Sequence, residues 1–342
     1  VILCQDTASN TNLAGNSMAH DYTIFDGLII SNWGRPVFEE MNAGGLAGAN
    51  CTCAVWEGFE ATMGNIARWK RMFKDNADLI VQARSAQDIR DAKAAGKTGI
   101  ALGFQNSWPI EDDLDRVWLF HDVGVRTIQM TYNTQNLAGA GCWESTDPGL
   151  SDYGKRLVAL LNEAGILIDL SHVGPQTSKD AAEVSKRPVA YTHVAPAGMK
   201  DHPRNKPDDM LKRINGTGGF VGVALYAPFL PKGDDSDLGD CLDTLEYVLN
   251  LLGPERVGLG TDFTQGYGAD FFEWLRRDKG IGAGVAGPMT GSRPANPKGL
   301  DGMSEYPNLI QAMQQRGWDD SLIRNVMGEN WLTFLDDAWT PA

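Results

Sequence analysis

Several things are scarce in this 342-residue sequence, and each scarcity excludes a class of protein. Cysteine is rare: Cys4, Cys51, Cys53, Cys142 and Cys241 are too few and too scattered to frame a disulfide-stapled fold. Positive charge is short, with 30 Lys and Arg against 44 Asp and Glu and a net charge of −14. Such a field repels nucleic acid and anionic membranes, and no basic run overrides it. No apolar stretch approaches the roughly 18 residues of a membrane span. There is no P-loop, no G-x-S-x-G, and no G-x-G-x-x-G after the first apolar run, which argues against nucleotide-binding sheets and serine hydrolases. Histidine is limited to His20, His121, His172, His193 and His202.

What is present is globular: 42% hydrophobic and 22% charged residues, with 39 glycines pointing to many tight loops. Val1–Ser17 is polar and rich in small residues, without the basic start and apolar core of a signal peptide. It is read as a vector-derived or disordered leader. Residues 18–342 are then expected to form one domain, in the cytoplasm. Cys51 and Cys53 lie two apart, so a strand would put both on one face, where they read as small buried hydrophobes.

Eight short apolar, β-branched runs recur: Thr23–Ile30, Asn50–Val55, Thr98–Gly103, Thr127–Thr131, Leu167–Leu170, Val189–Thr192, Phe220–Ala224 and Val257–Gly260. Most are continuous rather than alternating, as strands buried on both faces are. Helical patterns lie between them, over Phe59–Lys74, Leu114–Val123, Gly154–Ala164, Gln176–Ser185, Asp208–Asn215 and Asp240–Leu252. Leu309–Gln315, Asp319–Met327 and Trp331–Leu335 form a helical tail. Gly266–Gly302, rich in Gly and Pro, reads as a long loop after the eighth strand. Eight alternating units predict a (β/α)8 TIM barrel, with a doubly wound open sheet as the rival.

Barrels keep functional groups at the C-terminal ends of their strands. The fifth predicted strand closes on Asp169-Leu170-Ser171-His172, the sixth on Thr192-His193 and the eighth on Thr261-Asp262. One strand-end histidine is more often a hydrogen-bonding cap than a ligand, but two histidines and an aspartate at such ends suit a borderline metal. A metal lowers the pKa of bound water, and an aspartate takes its proton. Arg204, in Asp201-His202-Pro203-Arg204-Asn205, suits a substrate carboxylate. Tyr132, closing the fourth strand, is a hydrogen-bond donor or a packed core residue. Glu57, closing the second, is a ligand or a helix-capping carboxylate. His20 and His121 are set aside.

These strand-end pieces, with Phe25-Asp26-Gly27, Gly258-Leu259-Gly260-Thr261-Asp262 and Met327-Gly328-Glu329-Asn330-Trp331, resemble the membrane (renal) dipeptidase family, zinc dipeptidases of the amidohydrolase superfamily. The resemblance spans nearly all of Tyr22–Trp339, and is closest to a bacterial branch carrying Val55-Trp56-Glu57. It implies two zinc ions: one on an H-x-D of the first strand, a bridging glutamate on the third, and the second on histidines matching His172 and His193. It further implies that Asp262 orients the attacking water and that Arg204 binds the substrate carboxylate. Tyr132 falls where some members carry a substrate-polarising histidine. The sequence departs from the pattern at the first site: Leu28 and Ile30 stand for the H-x-D, and Gln105 for the bridging glutamate.

Leucine and isoleucine cannot hold a cation. The expectation is therefore at most one zinc, on His172, His193 and Asp262, with Glu57 or the Cys51/Cys53 face as replacement ligands. The expected function is a dipeptidase-like amidohydrolase for a small carboxylate-bearing amide, with Tyr132, Gln105 and Arg204 contacting it. A metal-independent lyase or isomerase on the same barrel, or a non-catalytic binder of small molecules, are the alternatives. Nucleic-acid and membrane partners are not expected; a homodimer is what the resemblance implies.

Overall fold

The computed structural model describes residues 21–275 and 296–341. The proposed leader Val1–Ser17 lies outside the described residues, as do 276–295 of the predicted long loop.

Among the described residues nine strands alternate with helices: β1 (Ile24–Ile29), β2 (Leu46–Ala54), β3 (Ile80–Gln82), β4 (Thr98–Phe104), β5 (Val125–Gln129), β6 (Leu167–Asp169), β7 (Ala190–Val194), β8 (Phe220–Val223) and β9 (Val257–Leu259). Every pairing is parallel. β1 pairs with both β2 and β9, and β2 pairs with β4, so eight strands close a barrel in the order β1-β2-β4-β5-β6-β7-β8-β9. This is the expected (β/α)8 barrel, and each of its eight strands overlaps a predicted run.

β3 is additional. It lies between the helices Phe59–Asp75 and Ala86–Ala94 and pairs with the start of β4, whose end pairs with β5. Residues Gly266–Gly302 are not wholly irregular: Ala269–Leu275 is helical. In the tail, Asp319–Met327 is divided, with a helix over Asp320–Arg324 followed by a π-turn over Asn325–Glu329. Among the described residues no helix is long and apolar enough to cross a membrane.

Local chemistry explains several boundaries. Gly165 takes φ 68° and ends the helix Asp152–Ala164 just before β6, the left-handed C-terminal stop that glycine adopts without a Cβ penalty. Ser85 and Asp88 form a reciprocal capping box that starts Ala86–Ala94. Cys51 and Cys53 are buried free thiols in the layer between strands and helices.

The two ends of the barrel differ. At the N-terminal end, Trp331 packs with Phe25, Leu167, Ala190 and Phe220, the last three opening β6, β7 and β8. Its indole N–H donates to the Leu259 carbonyl at 2.7 Å, so the one polar atom of this buried plug is satisfied. Truncating such a residue costs about 3–5 kcal/mol. At the other end the backbone crowds Thr192: a Cβ on Gly222 or Gly260 would lie 2.0 or 1.9 Å from the Thr192 carbonyl oxygen. Glycine at both positions lets β8 and β9 close against β7, one residue before His193.

Candidate active site

His172 and His193 follow β6 and sit within β7, both buried, with Nε2 atoms 3.0 Å apart. Burial holds both imidazoles well below their usual pKa, and the nearby Arg204 guanidinium adds to the effect. They are therefore neutral. The other ring nitrogens are engaged: His193 Nδ1 lies 2.8 Å from Thr192 Oγ1, and His172 Nδ1 lies 2.7 Å from Asn133 Oδ1. Tyr132 stacks on the His172 ring, centroids 4.1 Å apart.

A buried carboxylate stands behind each corner of this end. Asp169 accepts from Ser171 N (2.9 Å), Ser171 Oγ (2.6 Å), Thr192 N (3.1 Å) and Thr192 Oγ1 (2.7 Å). Asp26 is built the same way: it accepts from Leu28 N (3.0 Å), Thr261 N (3.0 Å), Thr261 Oγ1 (2.5 Å) and Tyr306 Oη. In each case the threonine immediately precedes a candidate functional residue, His193 or Asp262.

Arg204 is 3% exposed. It donates to the backbone carbonyls of Ser171 (2.5 Å) and His193 (3.3 Å), and its Nε is buried without a partner. Two of five donors are thus spent on the segments that carry the histidines, and a buried N–H left over is costly unless a ligand takes it. Phe229 lies under the guanidinium, 5.1 Å away.

Asp262 has φ 61°, a left-handed backbone uncommon outside glycine and costly enough to draw attention to function. Burial raises its carboxyl to about 7; Arg204 pulls it down, and Asp26 and Asp169 push it up. Neither its carboxylate nor the Tyr132 hydroxyl has a hydrogen-bond partner among the described residues.

Other predicted residues sit elsewhere. Glu57 accepts from Val55 N (2.8 Å) and Asn65 Nδ2 (3.3 Å), fastening the end of β2 to the following helix. It lines a separate cavity of about 260 Å³ with Trp33, Trp69 and Phe271. Gln105 is buried, and its Nε2 donates to Thr52 Oγ1 at 2.9 Å. Leu28 and Ile30 are buried; Ile30 packs with Val55, Tyr132 and Trp56. Where the family pattern has a carboxylate there is an apolar contact.

Among the described residues no three His, Cys, Asp or Glu side chains converge as a metal-holding group. The residues present fit the implied zinc pair only in part. For the first ion they do not fit, because Leu28, Ile30 and Gln105 offer no anionic donor. For one ion the imidazole pair fits in spacing: two nitrogens on one tetrahedral zinc lie about 3.3 Å apart, close to the observed 3.0 Å. Each imidazole also has a partner on its far nitrogen, as metal-bound histidines do. The set is one protein ligand short of the usual three of a catalytic zinc.

Sequence reasoning missed Asn133, Asp169 and Thr192 as partners of the histidines. It also missed Lys206, buried with Nζ donating to the Val173 carbonyl at 2.6 Å and lowered to about 8 by burial. Asp169 and Thr192 had a signal, since they lie three residues and one residue before the histidines in D-x-x-H and T-H. Asn133 had none beyond its place after Tyr132.

The family model described as membrane dipeptidase (peptidase family M19) matches residues 35–274. The chain belongs to that family. Among curated relatives, an uncharacterized dipeptidase of Schizosaccharomyces pombe is 32% identical over 75% of this chain and 57% of its own length. A dipeptidase of Aspergillus oryzae is 30% identical over 78% of this chain and 58% of its own length. The chain thus spans somewhat over half the length of these relatives. Among solved structures, an amidohydrolase from Pseudomonas aeruginosa is 49% identical with a TM-score of 0.91, covering 95% of this chain and 99% of that one. A metallo peptidase from Rhodobacter sphaeroides, liganded with a phosphinate mimic of L-Ala-D-Ala, is 22% identical with a TM-score of 0.78, covering 93% of this chain and 99% of that one; it shares the fold.

Proposed function

We propose that this protein hydrolyses the amide bond of a small, dipeptide-like substrate with a free carboxylate, using one divalent cation, zinc first among them, held by His172 and His193. One observation carries the reading. Two neutral imidazole Nε2 atoms converge at 3.0 Å beside a buried guanidinium whose Nε–H has no partner. When bound, such an ion supplies Lewis acidity to the scissile carbonyl and to the attacking water.

The chain's own residues do the rest. Arg204 grips the substrate carboxylate through Nε–H and an adjoining Nη–H, a forked, charge-assisted contact that sets the register of the amide. Asp262, ionised above about pH 7, takes the proton of the attacking water and passes it to the amine nitrogen as the C–N bond breaks, leaving a carboxylic acid and a free amine. The Tyr132 hydroxyl, kept neutral by burial, donates to the carbonyl oxygen as negative charge develops there. Gln105 is engaged with Thr52 and takes no step.

The test is metal analysis of protein purified without chelator, alongside turnover of a panel of dipeptides and N-acyl amino acids. About one zinc per chain is expected, with turnover lost on chelation and restored by zinc. Turnover untouched by chelation would overturn the reading. Changing Arg204 to Lys keeps the charge and loses the fork, so it should raise KM for carboxylate-bearing substrates more than it lowers kcat.

A further inference from the structure

The hydrogen bonds around the two histidines do not close symmetrically, and the asymmetry assigns a role to Asn133. With Asp169 ionised, the state its four donors favour against the upward push of burial, the chain of donors at the β7 side has one solution. Asp169 is a carboxylate with four donors converging on it, two of them backbone N–H groups that can only donate. Thr192 spends its single hydroxyl proton on Asp169, so Thr192 Oγ1 can only accept from His193. Ser171, 3.4 Å from Thr192 Oγ1, spends its own hydroxyl proton on Asp169 and cannot substitute. His193 is therefore fixed with its proton on Nδ1 and a lone pair on Nε2.

His172 Nε2 lies 3.0 Å from that lone pair. Without a cation between them, His172 must donate from Nε2, which leaves a lone pair on its Nδ1. The partner of that nitrogen is the Asn133 amide, whose Oδ1 faces it at 2.7 Å in this structure, the orientation that accepts from Nδ1–H; a bare Nδ1 needs the amide turned over. An asparagine amide satisfies either state by turning over: Nδ2 donates to a bare Nδ1, and Oδ1 accepts from Nδ1–H. The thiol of Cys142, 3.9 Å from the amide oxygen, accepts in one orientation and donates in the other.

We infer that Asn133 is a positioning residue that sets the tautomer of His172, its amide turning over between a metal-free pair, in which His172 donates to His193, and a cation-holding pair, in which both Nε2 lone pairs face the ion. The backbone is suited to this: Asn133 has φ 61°, in the left-handed region that asparagine adopts more readily than most residues, at the start of the loop that also carries Tyr132. His193 and Asp169 form the fixed half of the pair, and Asn133 and His172 the adjustable half. The cation-holding state rests on the function proposed above; the metal-free tautomer does not.

The test uses nitrogen-15 NMR of histidine-labelled protein without metal and with zinc, and zinc affinity by chelator competition. Two variants keep the backbone conformation. Asn133→Gly removes the amide at a position where glycine takes φ 61° freely, and Asn133→Asp offers only acceptors. In metal-free wild type, His172 should carry its proton on Nε2 and His193 on Nδ1; with zinc, both should carry it on Nδ1. Asn133→Gly should weaken zinc about 10–100-fold, and Asn133→Asp should bind more tightly than wild type. A purely structural role would move neither tautomer nor affinity. His172 found with its proton on Nδ1 in metal-free wild type overturns the inference, as do equal zinc affinities in all three proteins. If no variant binds zinc, the proposed hydrolase falls while the metal-free tautomers still decide this point: Nε2–H on His172 supports it, Nδ1–H overturns it.

Discussion

The β6–β7 and β1–β9 corners of the barrel mouth have the same frame and opposite contents. In each, a fully buried aspartate ends or lies within one strand, accepts the amide two residues on, and accepts both the amide and the hydroxyl of a threonine in or just past the neighbouring strand. At β6–β7 the side chains hung from this frame are His172 and His193. At β1–β9 they are Leu28 and Ile30 at the end of one strand and Asp262 beyond the end of the other. The frame carboxylates hold strand ends whatever the ends carry, because all their bonds go to backbone N–H groups and neighbouring hydroxyls. A binding corner can therefore be emptied of ligands without loss of the fold, and the chemistry left is read from the side chains beyond the frame.

The largest expected effect separates the two corners outright. His193→Ala should lower kcat/KM by about three orders of magnitude or more and abolish zinc binding, while Leu28→Ala leaves zinc content unchanged. Metal analysis and steady-state kinetics on the two variants check this. Zinc lost equally from both would mean that the β1–β9 corner still holds metal by another route.

Asp262 belongs to the emptied corner and is the base of the proposed reaction, and pH tests it. Its carboxyl sits at about 7 rather than near 3.8, chiefly through burial, with Asp26 of the frame adding to the rise. The folded state thus holds a proton that the unfolded chain releases above about pH 4. In chelated protein, stability attributable to this group is lost as pH rises from about 4 to about 7. Asp262→Asn removes that penalty, so the variant should be more stable than wild type by up to about 4 kcal/mol at pH 8, with no gap near pH 3.5. Urea unfolding at several pH values measures it; a gap independent of pH rules out the raised carboxyl. In the active protein a base must be ionised, so kcat/KM should fall tenfold per pH unit on the acid side. A cation at the imidazole pair moves that limb to 7 or below.

The frames themselves can be compared directly. Asp169→Asn and Asp26→Asn each replace a buried acceptor with an amide that brings donors where donors already converge. Each should cost about 2–3 kcal/mol of stability in denaturant titration. Only Asp169→Asn should also weaken zinc, because only that frame reaches a histidine ring nitrogen through Thr192. A matching loss of zinc affinity in Asp26→Asn would break the equivalence drawn between the corners.

Much of this was legible in the sequence, for a physical reason. A barrel strand buried on both faces reads as a continuous apolar run, and its polar last residues stand out against it; hence the eight strands, and His172, His193 and Asp262. β3 was not legible, because three residues with Val81 40% exposed carry no period. The helix Ala86–Ala94 buries mainly small residues, Ala86, Ile89 and Ala92, so its stripe is faint although its capping pair Ser85/Asp88 is plain. Ala269–Leu275 is a short helix inside a glycine-rich stretch. Asn133 was out of reach because its meeting with His172, 39 residues away, depends on how the connection after β5 folds back. Glu57 looked like a ligand by its strand-end position, and only the contacts to Val55 and Asn65 show where its carboxylate is spent.

The smallest expected effect bears on what fills the emptied corner. Ile30 is 5% exposed and packs with Val55, Tyr132 and Trp56, and Tyr132 in turn stacks on His172. If this isoleucine is packing alone, Ile30→Val removes one methylene and costs about 0.5–1.5 kcal/mol of stability, with zinc affinity and kcat unchanged. If the contact instead holds Tyr132 against the imidazole, the same deletion loosens the hydroxyl proposed to meet the substrate carbonyl, and kcat falls while stability barely moves. The ratio of the two changes therefore distinguishes a corner that merely plugs the barrel mouth from one that still positions the site, through an apolar contact where the family pattern has a carboxylate.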